Sequence, residues 1–305
     1  MRVEFVNSVH AEMAKNQKSV FLTGDLGFNA FEGLVKDFGP RFINAGAAEQ
    51  NMIGVAAGLA LEGHQVWTYS IAPFVTYRCM EQIRNDVCLH DLPVCMVGNG
   101  GGYTYGIMGA THHTLEDMAV LKALPNMHLH LPCSNNQVEV SVQTIAQEKR
   151  PAYLRLGFTG FQSNAEPMRE NAKTLTRVYA EGDQCTLIGI GQGTQIILHA
   201  LENHLVPRDR VSVFGIARYP FQLSEDRELL ESVQKTKKVL VVEEHYLPGS
   251  LAESLRLELS EVSKFDVLAP YYSKEHRYGK PAFQLEQVGV TPQRISQWVE
   301  KTISQ

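Results

Sequence analysis

Three stretches of the chain combine residue types that can do chemistry. The first, Gly46-Ala47-Ala48-Glu49-Gln50-Asn51-Met52-Ile53-Gly54-Val55-Ala56-Ala57-Gly58, sets a carboxylate at the start of a helix built from small residues. A negative charge is favoured at a helix N-terminus, and Gly and Ala allow close packing. Taken alone, such an acid commonly does no more than balance the helix dipole. The second stretch, Tyr69–Arg78, follows a predicted strand and carries three aromatics. Phe74 and Tyr77 are spaced i, i+3, which puts both on one face of a helix. Aromatics in such folds are more often core than ligand platform. The third is a glycine-rich loop, Gly98–Gly102 and Gly106–Ala110, ending in His112-His113 and Glu116-Asp117. Ligands of open α/β sheets bind beyond the carboxyl ends of the strands, where this loop lies. The HHxxED pattern fits neither HExxH nor a closed zinc set, so no metal is assigned to this chain.

Other signals have plainer readings. Gly189–Thr194 lacks full GxGxxG spacing and reads as a tight strand-to-helix turn. His128 and His130 alternate across a strand and read as structural. Glu243-Glu244-His245 ends a strand, at an interface or at the edge of a site.

Short β-rich runs alternating with helical stretches must position these groups. Strands are predicted at Ser19–Thr23, Phe42–Asn44, Gln65–Tyr69, Val94–Val97, His128–Leu131 and Tyr153–Leu156. Helices are predicted at Glu4–Lys15, Gln50–Glu62, Pro73–Asp86 and Asn136–Glu148. This alternation argues for an α/β fold with a parallel sheet. Gly157–Leu175 is polar and aperiodic and reads as a linker. Beyond it, strands at Thr186–Ile190, Val211–Phe214, Val239–Val242 and Asp266–Ala269 alternate with helices at Gln192–His204, Glu225–Gln234, Ser250–Glu261 and Thr291–Ile303. The pattern predicts two domains, residues 1–165 and 175–305.

The 305 residues are 44% hydrophobic and 20% charged, as in an ordinary globular protein, and the net charge of −5 offers no basic field for nucleic acid. The longest apolar stretch, Met52–Leu61, is far short of the roughly 20 residues that cross a membrane. The N-terminal segment carries acids and has no apolar signal-peptide core, and the five cysteines form no CxxC. A cytoplasmic protein without disulfides is the expectation.

In this order, the three stretches resemble the C-terminal two domains of the transketolase family, which use thiamine diphosphate. The resemblance covers essentially the whole chain, including Gly189–Gly193 and Val241-Val242-Glu243-Glu244-His245. It implies an α/β pyrimidine-binding domain followed by a second α/β domain. Glu49 takes the place of the glutamate that hydrogen-bonds the cofactor's pyrimidine and activates its amino group as a base. Phe74 matches the aromatic stacked on the pyrimidine, and Tyr77 a neighbouring pocket tyrosine. Asp25 and Leu26 match a pair approaching the thiazolium. His112 matches the histidine that faces substrate and reactive carbon.

In this family the diphosphate and its divalent metal, Mg2+ or Ca2+, are held by a domain bearing GDG, and no GDG occurs here. The resemblance therefore implies a diphosphate-binding partner subunit and an α2β2 assembly. At the substrate positions Arg2 is kept. Asn29 replaces a serine, Gly100 a histidine, Leu131 an arginine, and Met108 the aspartate that reads the donor's hydroxyl. Basic groups for a sugar phosphate are thus lost, with Arg78 or the partner left to compensate. Two enzymatic readings follow: ketol transfer from a ketose to an aldehyde, or a 2-oxoacid-using reaction of the E1 β or acyloin-synthase kind. A non-catalytic scaffold is a third reading.

Overall fold

The computed structural model describes residues 1–259, 261–275 and 277–304. They form two compact units. The first comprises Met1–Gly101 and Val120–Gly157, the second Gly102–Ala119 and the chain from Phe158 onward.

The sheet of the first unit has the strand order His128–His130, Ala152–Gly157, Val94–Gly101, Gln65–Ile71, Ser19–Thr23, Phe42–Asn44, with every neighbouring pair parallel. All six predicted strands form. Ser19–Thr23 is buried at every position, as a parallel strand covered on both faces must be. Arg2–Lys15 buries Phe5, Ser8, Val9 and Met13, an i, i+4 stripe, and packs against Val138–Glu148. The core between them and the sheet is strongly aromatic. Phe5 stacks on Tyr69 at 5.9 Å, Phe31 meets Tyr69 edge-on at 4.8 Å, and the Trp67 indole N–H donates to Ser19 Oγ at 3.1 Å.

Register decides where the chemistry gathers. Thr23 pairs with both Tyr69 and Asn44, so the residues that follow each of them emerge at the same carboxyl edge of the sheet. From that edge the chain passes into Gly24–Leu26, into the helix Glu49–Leu61, and into the helical turn Ala72–Val75.

The helix predicted over Pro73–Asp86 is not continuous. It runs as Ala72–Val75, a 3-10 turn Tyr77–Cys79, the short helix Met80–Gln82, and a π-helical turn Ile83–Cys88. The break falls at Thr76, whose buried hydroxyl donates to the carbonyl of Ala72 at 2.6 Å and whose ψ is −78°. Such back-bonding bends helices. The i, i+3 argument for Phe74 and Tyr77 therefore loses its helical basis.

The sheet of the second unit has the order Lys264–Leu268, Lys238–Val242, Cys185–Ile190, Val211–Ile216, Thr176–Ala180, Arg169–Asn171. Its first four strands are parallel and the last two are antiparallel additions. The helices Arg227–Thr236, Leu251–Glu258 and Pro292–Ile303 start at caps whose side chains accept backbone N–H bonds: Asp226, Ser250 and Thr291. Ser260, within the predicted helix Ser250–Glu261, lies outside the described residues.

The predicted linker holds a strand. Arg169–Asn171 pairs with Thr176–Ala180 in a hairpin at the sheet edge. Its residues are polar and largely exposed, so it carries no apolar alternation to read. It is tied down by charge instead: Arg169 reaches Glu228 and Glu181, and the Thr174 hydroxyl donates to Asp226 at 2.7 Å.

Candidate functional site

Glu49 opens its helix at the carboxyl edge of the first unit's sheet and is only 2% exposed. A buried carboxylate needs donors, and two are present. The Ser70 hydroxyl, next to last in the adjacent strand, donates to Oε1 at 2.9 Å. Arg78 Nη1 donates to Oε2 at 2.7 Å. The Arg78 guanidinium also lies over the Phe74 ring, 4.5 Å from its centroid. Gly24 completes the wall: a Cβ there would stand 3.3 Å from Ser70 Oγ and 3.4 Å from Glu49 Oε1.

The neighbouring Cys79 records the same electrostatics. Its thiol is pushed up to about 12, first by burial and then by the Glu49 charge, with Arg78 acting in the opposite direction. Tyr77 is half-buried on the turn Tyr77–Cys79, which packs against the helix that carries Glu49.

Asp25 and Leu26 leave the sheet directly after Gly24. Asp25 takes a left-handed backbone, φ +57°, and its Oδ1 accepts from Asn44 Nδ2 at 2.8 Å. The Thr23 hydroxyl donates to the Leu26 carbonyl at 2.9 Å and fixes the turn. Both residues line a cleft of about 340 Å³ with Phe28, Phe31, Phe42 and Asn44. Arg2 is exposed at the first turn of its helix. Asn29 is exposed with φ +60°, and its backbone N–H donates to Glu32 Oε1 at 2.7 Å.

His112 and Met108 belong to the second unit, on Gly102–Ala119. Two 3-10 turns, Gly106–Met108 and Ala110–His112, are joined at Gly109, where φ is +83° and a Cβ would lie 2.4 Å from the Tyr278 ring. Gly102 and Thr114 close the loop with paired backbone bonds of 2.9 and 3.0 Å. The loop is fastened to the unit's core. Tyr246 N donates to the Leu115 carbonyl, and Gly279 N donates to the Gly106 carbonyl. His245, buried, lies between Glu243 Oε2 at 3.2 Å and Asp117 Oδ1 at 3.6 Å. His112 is half-buried, paired with the Thr111 hydroxyl at 3.0 Å and edge-on to Tyr105, while Met108 stands 53% exposed.

The first unit thus brings Glu49 and Phe74 together through Arg78, with Asp25 and Leu26 following the glycine that abuts Glu49. Arg78, named above as a compensating charge for substrate, has its guanidinium on Glu49 and Phe74 in this structure. Sequence reasoning misses Ser70. Its only signal is its place near the end of a strand flanking the one that leads to Gly24. The Glu243–His245–Asp117 group, open in sequence between an interface and a site edge, is buried and joins Asp117 of the 102–119 segment to the residues that follow the strand Lys238–Val242. His128 and His130 are both buried. Among the described residues, no group of three or more His, Cys, Asp or Glu could hold a metal ion. Nor is any helix among them long and apolar enough to cross a membrane.

A buried carboxylate beside an aromatic face, walled by a glycine, suits a flat heteroaromatic ring that offers an edge N–H. The residues present therefore fit the aminopyrimidine of thiamine diphosphate.

Comparison with known proteins agrees. Residues 1–157 match the family described as transketolase, pyrimidine binding domain. One of the subunits of the apulose-4-phosphate transketolase of Phocaeicola vulgatus is 30% identical over 262 residues, covering 82% of this chain and 80% of that subunit. The putative transketolase C-terminal section of Methanocaldococcus jannaschii is 33% identical over 246 residues, covering 78% and 74%. Human transketolase is 26% identical over 95% of this chain but only 46% of its own length. A solved structure described as a split gene transketolase, inactive beta4 tetramer, matches with a TM-score of 0.83 at 30% identity, covering 99% of this chain and 98% of its own. A buried Glu49 at the head of its small-residue helix, and relatives of subunit size aligned over most of their length, lead to one conclusion: the chain belongs to the transketolase family.

Proposed function

We propose that this chain is the pyrimidine-binding subunit of a split, thiamine diphosphate-dependent transketolase that moves a two-carbon ketol unit from a ketose to an aldehyde. Residues 1–165 are the pyrimidine-binding domain and 175–305 the C-terminal domain. A partner subunit supplies the diphosphate site and its Mg2+ or Ca2+, in a cytoplasmic α2β2 assembly. The match to subunit-sized relatives named as transketolases supports ketol transfer over the 2-oxoacid reading.

The observation that carries this reading is the burial of Glu49 beside Phe74, with donors already aimed at both carboxylate oxygens. When bound, thiamine diphosphate supplies the nucleophilic carbon for attack on the ketose carbonyl and the electron sink for carbon–carbon cleavage. Glu49 holds the proton at the pyrimidine ring nitrogen and so sets the basicity of the adjacent amino group. Phe74 fixes the plane of the ring and Tyr77 bounds the pocket, while Asp25 and Leu26 line the approach to the thiazolium. His112 holds or moves a proton at the donor's hydroxyl. Arg2, Asn29 and Met108 bound the substrate. Met108 is a weak acceptor for a sugar hydroxyl, so the donor differs from an ordinary pentose phosphate.

The test is the chain co-purified with its diphosphate-binding partner, given thiamine diphosphate, Mg2+ and either ketoses or pyruvate. Aldehyde release from a ketose without CO2 supports the reading. CO2 from pyruvate would overturn ketol transfer, and full activity in Glu49→Ala would overturn the assignment of Glu49.

A further inference from the structure

Arg78 holds both groups that the cofactor's aminopyrimidine needs. One guanidinium nitrogen is 2.7 Å from Glu49 Oε2, and the guanidinium carbon is 4.5 Å from the centre of Phe74. A guanidinium and an aminopyrimidine are alike in the relevant respects. Both are flat and delocalised, both present N–H donors in their plane to a carboxylate, and both lay a face on an aromatic ring. We propose that Arg78 is a stand-in for the aminopyrimidine: it occupies that place before loading and is displaced from Glu49 and Phe74 as the cofactor enters. This rests on the assignment of Glu49 and Phe74 to thiamine diphosphate given above.

Three observations make the exchange physically reasonable. Glu49 is 3% exposed at its side chain, so a charge there without a partner is expensive, and a resident cation keeps the site assembled. The Arg78 side chain is 46% exposed, so its head can return to water without unburying a core residue. It also sits on the three-residue turn Tyr77–Cys79, set off from the preceding helix by the kink at Thr76. Displacement therefore asks for movement of one partly exposed side chain on a short turn.

Displacement implies competition. Cofactor affinity is reduced by the fraction of molecules in which Arg78 still holds the site. Removing the stand-in therefore tightens binding, whereas removing a residue that grips the cofactor weakens it.

The experiment is a titration of thiamine diphosphate into the assembled complex with its partner subunit, at saturating Mg2+, read by calorimetry for wild type, Arg78→Ala, Arg78→Gln and Arg78→Lys. Displacement predicts that Arg78→Ala binds about 3–10-fold tighter, with Arg78→Lys, which keeps the charge but loses the plane, between it and wild type. The melting temperature of the cofactor-free complex should fall in Arg78→Ala, because Glu49 loses its counter-charge, and the rise on adding cofactor should be larger than in wild type. If Arg78→Ala does not assemble, Arg78→Gln carries the test, since it can still donate to Glu49 without a charge. Affinity unchanged within twofold, or weaker, in the neutral variants overturns the proposal while wild-type binding upholds the cofactor assignment. Failure of wild type itself to bind overturns that assignment, and the proposal with it.

Discussion

The Ser70 hydroxyl reaches Glu49 Oε1 at 2.9 Å across 21 residues of sequence. The two meet because Ser70 is next to last in the strand Gln65–Ile71, whose register with Ser19–Thr23 places it beside Gly24, against the helix that Glu49 begins. Ser70 thus orients the carboxylate through one oxygen while the other faces Arg78.

Removing either end of this bond should separate orientation from chemistry. Glu49→Gln should lower cofactor-dependent turnover by about 10²–10⁴-fold, the scale of a lost acid–base contribution. Ser70→Ala should lower it far less and cost about 1 kcal/mol of stability, the usual net value of one such bond. Initial rates and urea unfolding of the two variants check this. Equal loss of turnover in both would show that Ser70 does more than orient.

The clamp on the 102–119 loop should be stability-critical. His245→Leu leaves the buried Glu243 and Asp117 facing an apolar side chain, and taking the partner from a buried polar group costs about 1–3 kcal/mol. Hydrogen exchange should rise first in residues 102–119. Unchanged protection there would show that the loop is held without His245.

Gly109→Ala should disturb the same loop for a different reason. The substitution combines a φ of +83° with a Cβ 2.4 Å from the Tyr278 ring. A cost of about 1–3 kcal/mol is expected from the backbone alone. Adding Tyr278→Ala should relieve the clash but leave the backbone cost, so the double variant should recover only part of the stability in chemical denaturation.

Alkaline pH should destabilise the fold. Burial pushes the thiols of Cys79, Cys88 and Cys185 up to about 12 from an ordinary value of 9.0. The native state keeps these protons after the unfolded chain has lost them. Their stabilising contribution is therefore complete below pH 9 and is lost as pH rises through 12. Between those limits each thiol costs about 1.4 kcal/mol per pH unit. Urea midpoints at pH 8 and pH 10.5 measure the slope, and a flat profile would contradict it. For the same reason the five buried cysteines should react with a thiol reagent only after unfolding.

Most of the fold is legible because buried parallel strands write themselves as continuous apolar runs. The predicted runs Ser19–Thr23, Gln65–Tyr69 and Val94–Val97 stand out this way, and their amphipathic neighbours by helical spacing, while the last two strands extend in the structure to Ile71 and Gly101. The edge hairpin at Arg169–Asn171 does not, because an exposed strand held by ion pairs leaves no apolar period. The helix break at Thr76 is hidden too, since it depends on a hydroxyl choosing its own backbone as partner.

The sequence by itself determined the residue types of the site and their order. Glu49 heads a helix of small residues, aromatics follow the next strand, and a glycine loop ends in His112. These are local facts, written in consecutive residues. Only the tertiary structure decided that Ser70 and Arg78 share the two oxygens of Glu49, that Arg78 lies on Phe74, and that the loop bearing His112 is built with the second unit. Sheet register and long-range packing set those relationships, and they join groups tens of residues apart that no local pattern connects.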